Sequence, residues 1–213
     1  MSNEFIETEV KNIHLKFKTG KKVFSPASVD SGTLAMLETA EFGADDKVLD
    51  LGCGYGVVGI LAAKTTFPEN VYMCDISEEA VSLSKYNSVM NGVESVNIFV
   101  SDGFKNITEK DFTIILSNPP YHEDFKIPKL FIENGYKALA TGGKMYMVTK
   151  RRTWYKNKYI SVFGGVNIVE KNGYFIFIAE KKLKTKKNIS ENKNIPSRKL
   201  AKKIQKRKRN KVL

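Results

Sequence analysis

Ile13, Leu15 and Phe17 alternate with His14, Lys16 and Lys18, the two-residue period of a half-exposed strand. Thr19-Gly20-Lys21-Lys22 then turns the chain toward Val23-Phe24. A helix is predicted over Asp30–Phe42 with Gly43 as its stop. Val48-Leu49-Asp50 reads as a short buried strand, opening into Gly52–Gly56 and a helix over Val57–Lys64. The unit repeats with a strand at Val71–Cys74 and a helix at Glu78–Met90. Ser77 is placed to cap that helix, Glu78 and Glu79 favour its positive end, and Asn91-Gly92 closes it. Further strands are expected at Val96–Val100, Phe112–Ser117 and Lys144–Val148, with a helix over Pro128–Ala140 between the last two. Val166–Val169, Asn172-Gly173 and Tyr174–Ala179 carry the signature of a hairpin. Trp154 and Tyr155 open a polar stretch suited to helix packing or to contacts over a cleft. Strands alternating with helices predict an α/β fold, a mostly parallel sheet covered on both faces with an antiparallel pair at one end.

Composition refines this picture in two places. A length of 213 residues suits one domain plus an appendage. No stretch has the length and purity of a membrane span, and MSNEFIETEV is too acidic and polar for a secretory signal. Cys53 and Cys74 have neither metal-ligand spacing nor the look of a disulfide framework, so no metal is expected and a reducing, cytoplasmic setting is. The net charge of +12 is concentrated. Of 35 Lys/Arg and 23 Asp/Glu, residues 181–213 hold fifteen and one, leaving 20 and 22 in residues 1–180. The division expected is therefore an N-terminal strand and helix over the cleft (1–43), a catalytic region (44–180) and a basic tail (181–213). Beyond Glu180 periodicity fades, and the composition predicts disorder in isolation.

Candidate chemistry starts at Asp50-Leu51-Gly52-Cys53-Gly54-Tyr55-Gly56, between a strand and a helix. Glycines let backbone turn tightly and approach a ligand without Cβ interference. A dinucleotide fingerprint read from Gly52 would need its third glycine at position 57, which is Val57, so that match fails. Asp50 would also repel a pyrophosphate and favour a ligand bearing positive charge. Asp75 ends the second buried strand, placed to accept from both hydroxyls of a ribose. Asp102 follows the third and is able to accept from an adenine amino group, with Ile76 and Phe104 as apolar walls. Any one of these acids suits a helix cap or a loop. Three at successive strand ends, beside a glycine loop, point to one ligand site.

Asn118-Pro119-Pro120-Tyr121 ends the fourth such strand. Two prolines fix two φ angles and remove two donors, making a stiff corner. Such a corner is either an ordinary proline turn or a device in which the Asn118 amide oxygen and the Pro119 carbonyl converge as acceptors. Tyr121 would then offer a ring face to a planar group carrying an exocyclic NH2. His122 either approaches that group or sits at the surface.

With these motifs the chain resembles the class I S-adenosylmethionine-dependent methyltransferases over approximately Val10 to Lys181, most strongly in VLDLGCGYGVVGI (Val48–Ile60). The resemblance implies a Rossmann-like sandwich, strand order 3-2-1-4-5-7-6 with strand seven antiparallel, and S-adenosylmethionine as cofactor. It implies that Gly52, Gly54 and Gly56 contact the methionine portion, Asp75 the ribose, and Asp102, with Gly103, the adenine end. The NPPY stretch is similar to that of enzymes methylating conjugated amino nitrogens of nucleobases or glutamine. Val23-Phe24-Ser25 followed by Asp30-Ser31-Gly32 resembles the start of the small methyltransferase domain, a family that includes bacterial small-subunit rRNA guanine-N2 methyltransferases. That resemblance lays Phe24 over the cleft and places Gly32 near the cofactor. Tyr121 departs from the Phe, Leu or Ile more usual in guanine-N2 enzymes; guanine N2 of small-subunit (16S) ribosomal RNA is the first expectation and adenine N6 of RNA or DNA the alternative. RNA, first of all ribosomal RNA, is the implied partner, with Lys206-Arg207-Lys208-Arg209 as a phosphate-binding run. A solubilising tail and a non-catalytic RNA-binding scaffold are the competing readings.

Overall fold

Lys11 and Asn12 both hold positive φ, 53° and 62°. That pair makes the two-residue turn preferred in hairpins, here joining β1 (Phe5–Val10) to β2 (Ile13–Lys18) in antiparallel register, Val10 opposite Ile13. The computed structural model describes residues 5–20, 23–120 and 124–183. All elements lie in the first of the two units into which the chain divides, Met1–Lys181. Sequence pattern missed β1. Its inward positions include Thr8 between Ile6 and Val10, which dilutes the apolar alternation.

The remaining strands are β3 (Val48–Leu51), β4 (Val71–Asp75), β5 (Asn97–Val100), β6 (Phe112–Ser117), β7 (Leu139–Thr149), β8 (Asn167–Lys171) and β9 (Tyr174–Glu180). They form one seven-stranded sheet, order β5-β4-β3-β6-β7-β9-β8, with β9 antiparallel to both neighbours and the β5–β7 pairings parallel. Leaving the hairpin aside, this is the order 3-2-1-4-5-7-6 that the resemblance implies. Side chains alternate between two cores, as the pleat requires. Val48, Met73, Ile114, Leu116, Val148 and Ile176 face one layer; Leu49, Cys74, Ile115, Met147 and Phe177 face the other. The first layer holds α1 (Ser31–Thr39), α2 (Val57–Ala63) and α3 (Glu78–Met90). The second holds α4 (Lys126–Ala138) and α5 (Thr153–Phe163). Among the described residues no helix is long and apolar enough to cross a membrane.

α4 sits two residues earlier than the expected Pro128–Ala140, and three other elements depart further. α1 stops at Thr39 rather than Phe42, and Gly43 is not its stop. Ala40 turns extended (ψ 140°), donates its N–H to Met36, and offers its carbonyl to Lys11 Nζ from the hairpin turn. That external donor ends the helix where no local glycine does. α5 lies in the stretch read as polar. Its signal is Tyr155, Tyr159 and Phe163, spaced four apart and all buried. β7 starts at Leu139, five residues before Lys144, because a register irregularity lets it run through Gly142 and Gly143.

Gly143 has no room for a side chain. A Cβ there would stand 2.7 Å from the Phe112 carbonyl oxygen and 3.0 Å from that of Ala140. Backbone cannot rotate aside as a side chain does. Gly143→Ala is therefore expected to destabilise the protein by about 1–3 kcal/mol, read as a lower urea midpoint with an unchanged m-value.

Candidate functional site

The parallel strands β3, β4, β5 and β6 end on one side of the sheet, and a cavity of about 340 Å³ opens there. Its rim is the crevice where strand order reverses around β3, the usual ligand position in open α/β sheets. Asp50, Gly52, Gly54, Asp75, Ile76, Asp102, Gly103, Asn118, Pro119, Pro120 and Phe24 all line it. Tyr121, His122 and Lys206–Arg209 lie outside the described residues.

The glycine loop is pinned by polar groups on three sides. Gly52 and Cys53 both donate N–H to the Cys74 carbonyl (2.9 Å each), tying the loop to the end of β4. Asp75 accepts from Gly54 N–H through Oδ2 and from Ser77 N–H through Oδ1, both at 2.9 Å. On α3, Ser84 Oγ donates to the Gly54 carbonyl (2.8 Å) and Asn87 Nδ2 to the Tyr55 carbonyl (2.8 Å). Gly54 holds φ 55°, and a Cβ there would meet nothing within 4 Å, so its bare face is open space in the cavity wall. Gly56 differs. It does not line the cavity, and a Cβ would press on Ile60, Met73 and Ser84 at 3.0–3.1 Å. Its surroundings are those of helix packing. Sequence reading missed Ser84 and Asn87; their signal is polar residues at positions of α3 that are wholly buried.

Two other expectations need correction. Phe104 does not line the cavity; it packs, partly buried, on the second core, and Phe131 of α4 forms the wall instead. Gly32 lies beneath Tyr174, where a Cβ would come within 2.6 Å of the ring, so tight packing fixes it. Its neighbours Asp30 and Thr33 reach the cavity. Asp102 is at the rim, with Oδ2 on Lys105 Nζ at 2.6 Å in an exposed ion pair.

Asn118 directly follows β6 and lines the cavity. Its Nδ2 donates to Asp30 Oδ1 and to Thr33 Oγ1, both at 2.9 Å. Its Oδ1 is buried and has no hydrogen-bond partner among the described residues. A buried acceptor without a partner costs roughly 1–3 kcal/mol.

Asp50 is buried beneath the loop and accepts from Gly59 N–H at 2.9 Å. Burial pushes its carboxyl up from 3.8 to about 7; the Gly59 hydrogen bond opposes this and the charge of Asp75 adds to it. The sign follows by linkage. Between those values the native state keeps a proton that the unfolded chain has released, so this contribution is present at low pH and lost as pH rises to about 7. Asp50→Asn cannot ionise and keeps an acceptor for Gly59. Its stability relative to wild type is expected to rise by about 1.4 kcal/mol per pH unit between roughly pH 4 and 7, then level off. Paired denaturant titrations across that range measure the gap.

The family model described as methyltransferase small domain matches residues 14–179. "Uncharacterized protein YbxB" of Bacillus subtilis is 31% identical over 178 residues, covering 81% of this chain and 89% of its own. "Ribosomal RNA small subunit methyltransferase C" of Shewanella amazonensis is 32% identical over 164 residues, covering 75% of this chain and 47% of its own. The chain thus spans about half the length of the curated small-subunit methyltransferases it matches. Among solved structures, the Thermus thermophilus 16S rRNA N2 G1207 methyltransferase, in complex with AdoMet and guanosine, superposes with a TM-score of 0.75. Identity there is 22%, with 84% of this chain and 50% of that one covered, a likeness of fold. By the family match, and by the sheet order and cavity already described, the chain belongs to the methyltransferase small domain family.

Proposed function

We propose that this protein transfers a methyl group from S-adenosylmethionine to the exocyclic amine of a nucleobase, with guanine N2 of small-subunit ribosomal RNA as the leading acceptor. The observation that carries this reading is the buried, orphaned Oδ1 of Asn118, a residue that lines the cavity. Both N–H groups of that amide are engaged, so the site presents an acceptor and no donor there. An amine bearing N–H groups completes it; a bare carbonyl does not.

The residues present fit the cofactor. The bare face at Gly54 leaves a cradle that a Cβ would fill. Asp75 is oriented by two backbone donors and retains lone pairs for ribose hydroxyls. Buried Asp50 favours a cationic ligand, which would draw off its proton and leave it ionised. When bound, S-adenosylmethionine supplies a methyl carbon on a sulfonium, transferred as its bond to sulfur breaks and one to nitrogen forms, with the amine proton passing to water. The protein's own contribution is placement. Asn118 Oδ1, beside the corner Pro119-Pro120, holds one amine N–H and so aims the nitrogen lone pair. Its hydrogen bond strengthens as positive charge develops on nitrogen. The names of the small-subunit rRNA relatives favour ribosomal guanine over other amines.

Asn118→Ala is expected to lower methyl transfer by about 10²–10³ while leaving S-adenosylmethionine affinity intact. Incubation with labelled cofactor and total RNA, then nucleoside mass spectrometry, tests both halves. Methylated guanosine is the expected product, methylated adenosine would move the assignment to N6, and no product from wild type would sink the enzymatic reading. The basic tail is proposed to grip RNA phosphates. Lys181 still pairs with Gly142 and Gly143 in the sheet, so a clean deletion removes residues 184–213. The expected result is weaker RNA binding with a flatter dependence of log affinity on log salt and unchanged cofactor affinity, measured by fluorescence titration.

A further inference from the structure

Nothing within β6 itself decides which way the Asn118 amide faces. Flipped by half a turn, it would present two donors to the cavity and oppose an incoming N–H. The deciding contact comes from 88 residues earlier in the chain. Asp30 is the N-cap of α1, with extended backbone (φ −60°, ψ 133°), and its Oδ1 accepts from Thr33 N–H at 2.9 Å. The same oxygen accepts from Asn118 Nδ2 at 2.9 Å. Thr33 Oγ1 can donate or accept, so it would tolerate either face of the amide. An ionised carboxylate can only accept, so it does not.

Asp30 is itself held on two sides. The helix start fixes Oδ1, and Tyr174 of β9 donates its hydroxyl toward Oδ2 at 3.4 Å. The Tyr174 ring in turn rests on Gly32, which leaves no space for it to sink further. Asp30 thus reaches Asn118 from a position set by α1 and β9 together, independent of any substrate.

We propose that Asp30 is the positioning residue of the acceptor site: it locks the Asn118 amide with its oxygen toward the cavity and so makes the site selective for N–H donors. This rests on the methyltransferase reading for its consequence in catalysis, but the lock itself does not. Donation to an anion also polarises the amide, drawing electron density onto Oδ1 and making it a better acceptor. The negative charge of Asp30 therefore acts on the reacting amine through Asn118 without touching it.

Two substitutions separate the cap from the lock. Asp30→Ser keeps a good N-cap for Thr33 but its hydroxyl is too short to reach Asn118 as well. Asp30→Asn keeps an oxygen able to accept from both Thr33 and Asn118. For Asp30→Ser we expect kcat to fall about 10–100-fold, the equivalent of one hydrogen bond to a charged group, with KM for RNA and cofactor affinity near wild type. Asp30→Asn should recover most of that loss. A purely structural role would lower the melting temperature without that selective loss and recovery of kcat. The second readout needs no activity: the Asn118 side-chain NH2 protons, followed by 15N-resolved NMR. In wild type and Asp30→Asn they should be protected from exchange, and in Asp30→Ser they should exchange freely. Wild-type kcat in Asp30→Ser, an Asp30→Asn variant as impaired as Asp30→Ser, or fast exchange of those protons in wild type would each overturn the proposal. If wild type methylates no nucleobase, the functional reading falls while the exchange experiment still decides the lock. If Asp30→Ser does not fold, exchange in wild type decides it.

Discussion

Buried Asn87 is the residue on which the architecture of the site depends. Its Nδ2 donates to the carbonyls of Tyr55 and Lys18, and its Oδ1 accepts from Lys18 N–H. One side chain thereby joins α3, the glycine loop and the free edge of β2. One turn later Asn91 repeats the pattern on Lys16, donating to its carbonyl and accepting from its N–H. Two asparagines at helical spacing thus replace a neighbouring strand, satisfying backbone groups that would otherwise invite another chain. Since β2 leads through residues 19–29 to Asp30, the same anchor that shapes the cofactor end also sets where the acceptor end begins.

Burying carboxylates is costly unless hydrogen bonds or charges compensate them, and the site treats its two inner acids differently. Asp75 has two backbone donors, one on each oxygen. Asp50 has one donor and full burial, and its carboxyl is carried up to about 7. The pair therefore avoids holding two uncompensated negative charges side by side beside the glycine loop. A cationic ligand removes the conflict, which makes ligand charge part of the energetics of folding as well as of recognition.

How much of this was legible in the sequence depended on where the information lies. The strands of the sheet and the helix Glu78–Met90 came directly from apolar runs and caps, because those signals are local. The acids at strand ends and the Asn118 corner were readable for the same reason: topology puts successive strand ends together once the sheet is known. What the sequence hid was long-range pairing. The end of α1 depends on Lys11 across the hairpin, and the loop clamps Ser84 and Asn87 look like ordinary polar helix residues until their burial is known. Phe104 and Phe131 illustrate the limit. Phe104 lies in the turn after β5 and Phe131 inside α4, and only the direction of α4 puts Phe131 on the wall while Phe104 packs on the second core.

A cavity built this way carries a deliberate imperfection. Evolved interiors pair nearly all buried polar atoms, and here the surrounding groups go to some length to do so: Ser84, Asn87 and Asp75 each engage backbone partners at 2.9 Å or less. Against that background the bare Oδ1 of Asn118 is not a lapse of packing, because Asp30 and Thr33 take up the other half of the same amide. A flip would hand Oδ1 to Thr33 and turn the nitrogen outward, relieving the orphan at the expense of the bond to Asp30. The carboxylate forbids that exchange. The amide therefore keeps its oxygen unpaired on the side away from Asp30 and Thr33, as its two donations require.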